Sequence, residues 1–175
     1  MIYRKTYMDK IIPFIDTPFV KILTGVRRCG KSTVMEMIKE ELLQRGISKE
    51  NIISYRFDSL ENEEIDTASK LYKEIKRQVR KDEKMYIFLD EIQEVKDWEK
   101  AANSFLSDFG ADVYVTGSNS RMMSSEISTY LTGRYVSFRI YPLSFSEYLE
   151  FRKTYADWND IYSEFARYIR FGGFP

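Results

Sequence analysis

Leu23-Thr24-Gly25-Val26-Arg27-Arg28-Cys29-Gly30-Lys31-Ser32-Thr33 decides the fold. Two glycines stand five residues apart, and the second is followed at once by a lysine and two hydroxyl side chains. A short apolar run, Phe19 to Leu23, leads in and reads as a strand. A helical pattern, Val34 to Leu43, leads out. Strand, glycine-framed loop and helix together are the context this spacing needs before it carries meaning. Without Cβ atoms, Gly25 and Gly30 let the chain turn sharply and bring its amides close to an oxyanion. Those N–H groups form an anion-sized nest. The first helical turn adds unpaired N–H groups and the positive end of its dipole. Lys31 is a point charge able to reach β- and γ-phosphates. Ser32 offers a hydroxyl to Mg²⁺, and Thr33 can contact an α-phosphate.

A second stretch answers the first. Met85-Tyr86-Ile87-Phe88-Leu89-Asp90-Glu91 is an unbroken apolar run that ends in two carboxylates. Such a run implies a strand buried on both faces, as in a parallel sheet. Asp90 is placed to hold Mg²⁺, directly or through water. Glu91 is placed as general base for an attacking water. The bland alternative is an acidic strand cap. A third strand end, Asp112 to Thr116 followed by Gly117-Ser118-Asn119, offers Ser118 and Asn119 as neutral hydrogen-bonders toward a γ-phosphate. A plain Gly-Ser-Asn turn accounts for them equally. Asp58, closing another strand, reads as a turn or cap residue.

The remaining pattern is regular. Residues 6–15 read as a short amphipathic helix perturbed at Pro13. A helix from Lys31 stops near Arg45 at Gly46. Asn51 to Phe57 alternates as a strand. Leu71, Ile75 and Val79 place a helix over Ile65–Arg80, and Lys96–Phe109 reads as another. Val136–Ile140 is a fifth strand. Ser144 is the expected N-cap of a helix from Phe145 to Arg152, with Glu147 three residues on; residues 158–170 also look helical. Strands alternating with helices give a doubly wound α/β sheet. Ligands bind such sheets at the strand C-termini, where the loop, Asp90/Glu91 and Ser118/Asn119 all fall.

Composition narrows the chemistry. The 175 residues contain no histidine, which excludes imidazole bases, Ser-His triads and His-ligated metals. The one cysteine, Cys29, permits no internal disulfide. Its loop is electropositive, so it is either somewhat reactive or simply a small residue at a permissive position. Lys+Arg and Asp+Glu balance at 27 each, so the chain advertises no nucleic-acid or membrane surface. The first 35 residues nonetheless carry seven basic and two acidic side chains, which suits an anionic ligand. No apolar run approaches a membrane span, and a cytoplasmic location is expected. Arg134 is either a transition-state cation, acting in its own subunit or in a neighbour, or a paired surface arginine. Arg27 and Arg28 face nucleotide, partner or solvent; Tyr3 and Arg4 are candidates to touch a base, on no sequence signal of their own.

Five stretches follow one another in order: Thr24–Thr33, Tyr86–Gln93, Val115–Asn119, Leu131-Thr-Gly-Arg-Tyr135 and Tyr141-Pro-Leu-Ser-Phe-Ser-Glu-Tyr148. Together they resemble the AAA-type ATPase domain of a large prokaryotic family, over nearly the whole chain. The resemblance implies a three-layer P-loop NTPase sandwich of the ASCE type, with a mainly parallel five-stranded sheet and the loop strand near its centre. It implies ATP and Mg²⁺ as cofactors, a homo-oligomer, and a protein or DNA partner reached through a C-terminal region that family members carry past Gly172-Gly173-Phe174-Pro175. On that view residues 1–155 form the ATPase core, and 156–175 begin a helical segment leading onward. The implied catalytic set is Lys31, Glu91, Ser118, Asn119 and Arg134. Gly25, Arg28, Cys29, Gly30, Lys31, Ser32 and Thr33 are the implied nucleotide contacts, and Ser32 and Asp90 the metal ligands. ATP hydrolysis that drives or switches a partner is the leading expectation. A nucleotide-dependent scaffold or nucleic-acid module is the alternative. A small-molecule kinase is disfavoured, because residues 117–134 hold only Arg121 and Arg134 rather than an arginine-rich lid.

Overall fold

In a computed structural model, describing residues 2–80, 83–118, 130–155 and 160–174, five strands form one parallel sheet. They are β1 (Val20–Gly25), β2 (Ile52–Arg56), β3 (Tyr86–Asp90), β4 (Asp112–Ser118) and β5 (Tyr135–Arg139), in the order β2-β3-β4-β1-β5. The helices are α1 (Lys5–Ile11), α2 (Lys31–Gln44), α3 (Ala68–Gln78), α4 (Trp98–Phe109), α5 (Phe145–Tyr155) and α6 (Ile161–Phe171). The loop strand β1 is interior, between β4 and β5, and β4 holds the centre.

Side chains alternate across the sheet, so each strand feeds two cores. Val20, Ile22, Ile87, Leu89, Val113 and Val115 pack with the residues of α3 and α4 on one face. Leu23, Phe88, Tyr114 and Phe138 pack with those of α1 and α2 on the other. Phe88 and Tyr114 stack there at 4.6 Å between centroids.

The apolar lead-in to the loop hides a charge. Lys21 is fully buried and paired with buried Asp112. Burial pushes its ammonium pKa down, and the Asp112 carboxylate opposes that shift. Lys21 also donates to the Thr17 carbonyl at 2.9 Å. The other Asp112 oxygen accepts from the Asp16 amide at 2.9 Å and from Tyr114 Oη at 2.8 Å. Such a pair survives burial only when its remaining hydrogen bonds are satisfied, and here the partners are in place.

Element boundaries moved for identifiable reasons. The first helix ends at Ile11 and tightens into a 3₁₀ turn over Ile12–Phe14 that contains Pro13. Both α3 and α4 begin two or three residues later than their periodicity suggests. Thr67 and Lys96 form a parallel bridge, with Ala68 N donating to Lys96 O and Lys96 N to Asp66 O. Backbone groups engaged there cannot join a helix. Gly46 lies just past α2, at φ 87°. Its N–H reaches Leu43 O and that of Ile47 reaches Leu42 O, which is the Schellman arrangement. At α5 the reciprocal box is present: Ser144 N donates to Glu147 Oε2 at 2.9 Å, and Glu147 N to Ser144 Oγ at 3.3 Å. Helix α6 starts on an Asp160 cap and packs on α5 through Glu164, which accepts from Tyr148 and Arg152. Ile161, Phe165 and Ile169 on α6 remain substantially exposed.

Candidate functional site

Because all strand pairs are parallel, the last residues of β1, β3 and β4 share one edge. Gly25 ends β1 in register with Ser118 at the end of β4. A side chain at Gly25 is impossible: a Cβ there would sit 2.3 Å from the Ile140 carbonyl oxygen and 2.7 Å from Cys29 Sγ. The loop then passes through Arg28, in left-handed backbone at φ 66°, to Gly30 at φ 97° and into α2.

Lys31, the first residue of α2, is 4% exposed. Its Nζ lies 3.3 Å from the carbonyl oxygens of Gly25 and Val26 and 3.6 Å from Glu91 Oε1. The lysine of the first motif and the glutamate of the second therefore meet across the loop. Ser32 and Thr33 follow on the first helical turn, both exposed.

Asp90 and Glu91 are held by a residue that the sequence reading passed over as an ordinary strand position. The Thr116 hydroxyl, buried on β4, donates to Asp90 Oδ1 and accepts the backbone N–H of Glu91 at 3.0 Å. Glu91 itself adopts left-handed backbone, φ 52°, an uncommon conformation for a residue with a side chain. Gln93 Nε2 donates to Glu91 Oε2 at 2.6 Å and so fixes the carboxylate from its other side. A polar threonine in the apolar strand Val113–Val115 was the available signal for Thr116. Gln93 carried none beyond its place in the motif.

Ser118, Glu91, Gln93 and Arg27 line a cleft of about 330 Å³ at this edge, together with Asp58 and Glu94. Asp58 is engaged by Arg56 through a two-bond fork at 2.5 and 2.8 Å, in keeping with a turn residue. Asn119 lies outside the described residues. A second cleft, about 260 Å³, lies beside Gly30 and Thr33, with Arg4 and Glu147 among its lining residues. Ile2, Leu143, Phe151 and Tyr155 give it apolar walls.

Three residues that the sequence leaves open are placed by the structure. Cys29 is completely buried, and burial pushes its thiol pKa up, so it is a packing residue rather than a reactive one. Arg4 is 3% exposed and lines the second cleft, with its guanidinium held by Cys29 O, Tyr141 O and the Glu147 carboxylate. Arg134 precedes β5 and accepts the Val20 amide at its carbonyl, which puts it at the N-terminal edge of the sheet. At roughly 3.3 Å per residue, β1 separates that position from Gly25 by about 16 Å. Its guanidinium donates to Asn103 Oδ1 at 2.9 Å. Within one chain, Arg134 is not brought to the loop.

Residues 17–149 match the family model of the AAA domain. The chain belongs to this AAA-domain family. An uncharacterised Haemophilus influenzae protein is 38% identical over the whole chain, which covers 44% of that protein. An uncharacterised Methanocaldococcus jannaschii protein is 33% identical over 89% of the chain and 35% of its own length. The chain thus spans less than half the length of these relatives. Among solved structures, Saccharomyces cerevisiae RIF2 superposes with a TM-score of 0.56 at 13% identity, over 94% of this chain and 67% of that one. A DNA polymerase III gamma subunit-related protein from Thermotoga maritima gives 0.54 at 13% identity, over 84% and 48%. These likenesses establish the fold. Membership of the AAA family makes the chain a nucleotide-binding, ATPase-type domain. Among the described residues no helix is long and apolar enough to cross a membrane.

Proposed function

We propose that this domain binds Mg-ATP at the C-terminal edge of its sheet and hydrolyses it, as a motor or switch for a partner. One observation carries the reading: Lys31 meets the Glu91 carboxylate across a glycine-framed loop at a helix N-terminus, with Asp90 one residue before Glu91 at the end of its strand. A structural ion pair alone does not call for the nest of loop amides beside it.

The donor set fits Mg²⁺ rather than a protein-caged metal. No group of three or more His, Cys, Asp or Glu side chains is gathered for a metal among the described residues. Magnesium binds through one or two protein oxygens plus phosphate and water, and Ser32 with Asp90 supplies that number. When bound, the ion neutralises charge on the β- and γ-oxygens.

The chain's own groups do the rest. Loop amides and Lys31 hold the phosphates. Thr116 fixes the Asp90 carboxylate. Glu91, held by Thr116 and Gln93, accepts a proton from water attacking the γ-phosphate, and Ser118 donates to that phosphate. The apolar cleft beside Thr33 seats the base. Arg134 reaches a nucleotide only from a neighbouring copy. Replacing Glu91 by Gln should leave ATP binding intact and abolish turnover. Unchanged turnover would remove Glu91 as the base.

A further inference from the structure

Arg4 touches the phosphate loop and the helical hairpin α5–α6 at the same time. Its Nη1 donates to the carbonyl oxygen of Cys29 at 2.9 Å. Its Nη2 donates to Tyr141 O at 3.0 Å, in the connection from β5 to α5. Nε and Nη2 grip Glu147 in a fork at 3.0 and 3.1 Å. The guanidinium also lies 4.5 Å over the Tyr7 ring, whose hydroxyl accepts from Tyr141 N.

Two features make this more than a satisfied core arginine. The first is the peptide it holds. In a trans peptide the C=O and the next N–H point in opposite directions. By binding Cys29 O, Arg4 fixes this peptide with its Gly30 N–H pointing away from the guanidinium. Drawing on that carbonyl also polarises the amide it aims. The second is the residue at its far end. Glu147 is the reciprocal partner of Ser144 in the cap of α5, so a shift of Arg4 acts on the first turn of the hairpin.

We infer that Arg4 is a positioning residue for the phosphate loop, and the strut through which the loop's nucleotide state reaches α5 and α6. The inference rests on the nucleotide-binding reading above. A phosphate that draws on the Gly30 N–H moves the Cys29 carbonyl, the guanidinium and then the Glu147 carboxylate. Lysine cannot reproduce the fork, because it offers a point charge instead of a planar donor set.

The test measures Mg-ADP affinity by calorimetry, and hydrogen exchange of residues 145–155 with and without Mg-ADP, in the wild type, Arg4→Lys and Glu147→Gln. In the wild type, Mg-ADP should change α5 exchange. Arg4→Lys should weaken Mg-ADP binding about ten-fold, the worth of one charge-assisted hydrogen bond, and lose the α5 response. Glu147→Gln keeps the Cys29 contact, so it should hold affinity within about three-fold while losing the response. A purely structural Arg4 would lower stability in both variants yet leave the α5 response to nucleotide in place, and that result overturns the inference. Binding by the wild type with no α5 response overturns it too, and leaves the nucleotide reading standing. No binding by the wild type overturns both.

Discussion

Thr116 on β4 donates its hydroxyl hydrogen to the Asp90 carboxylate at the end of β3. The same oxygen accepts the Glu91 amide, so one buried side chain sets both acids. Thr116→Val keeps the shape and removes the hydroxyl. It leaves a part-buried N–H without that partner, which costs roughly 1 kcal/mol or more. Urea unfolding should show that loss with an unchanged slope, and ATP turnover should fall more than ATP affinity. Thr116→Ser, which retains the hydroxyl, should recover most of both.

The glycine at the start of the loop is required by space as well as by backbone. Gly25→Ala places a methyl 2.3 Å from the Ile140 carbonyl. Gly46→Ala also faces a positive φ, 87°, but no atom lies within 4 Å of its Cβ. The second change should cost about 1–2 kcal/mol, the usual left-handed penalty. The first should cost more and abolish nucleotide binding. Thermal unfolding of the two variants side by side measures the difference; equal losses would contradict the close approach.

Asp112→Ala strands the Lys21 ammonium in the core with the Thr17 carbonyl as its remaining hydrogen-bond partner. Breaking a buried pair from one side typically costs about 3–5 kcal/mol. The joint replacement Lys21→Met with Asp112→Leu removes both charges, and should cost less than Asp112→Ala alone. Equilibrium unfolding of the single and double variants decides this.

Acid should loosen the α5 cap. Burial tends to raise the Glu147 pKa, but bonds from Arg4 and from the Ser144 amide and hydroxyl outweigh burial and hold it below the ordinary carboxylate range. A depressed folded-state pKa adds stability above the unfolded value, near about 4.3. That stability is lost as pH falls through the folded value. The stability gap between wild type and Glu147→Gln should therefore be full at neutral pH, begin to narrow as pH falls toward the unfolded value, and close once pH is below the depressed folded value. A gap that persists in acid would show that the carboxylate charge contributes nothing.

Much of the site was legible because its pieces are local. An apolar strand followed at once by Gly25, by Asp90-Glu91 or by Ser118 announces a strand C-terminus in the sequence itself. Ser144 and Glu147, three apart, announced their own cap. Arg134 shows a fact that was present but unused: a residue just before a strand of a parallel sheet falls at the opposite edge from residues just after one. Arg4 and Glu147 were not legible, since their contact joins positions 143 residues apart. Nor was the Thr67–Lys96 bridge, a tertiary pairing that delays two helices whose periodicity is otherwise plain.

The placement of Arg134 has its own consequence. Arg134→Ala should leave ATP affinity of the dilute protein unchanged within about two-fold. Any effect on turnover should appear only as protein concentration rises. A loss of affinity in dilute solution would contradict a position about 16 Å from the loop.

The central claim is that the loop at residues 25–33 is a working phosphate site. Calorimetric titration of the wild type and Lys31→Ala with Mg-ATP tests it most directly. Micromolar binding by the wild type, lost in Lys31→Ala while the unfolding midpoint stays near its original value, is the expected result. Equal binding by both proteins, or none by a folded wild type, would contradict it.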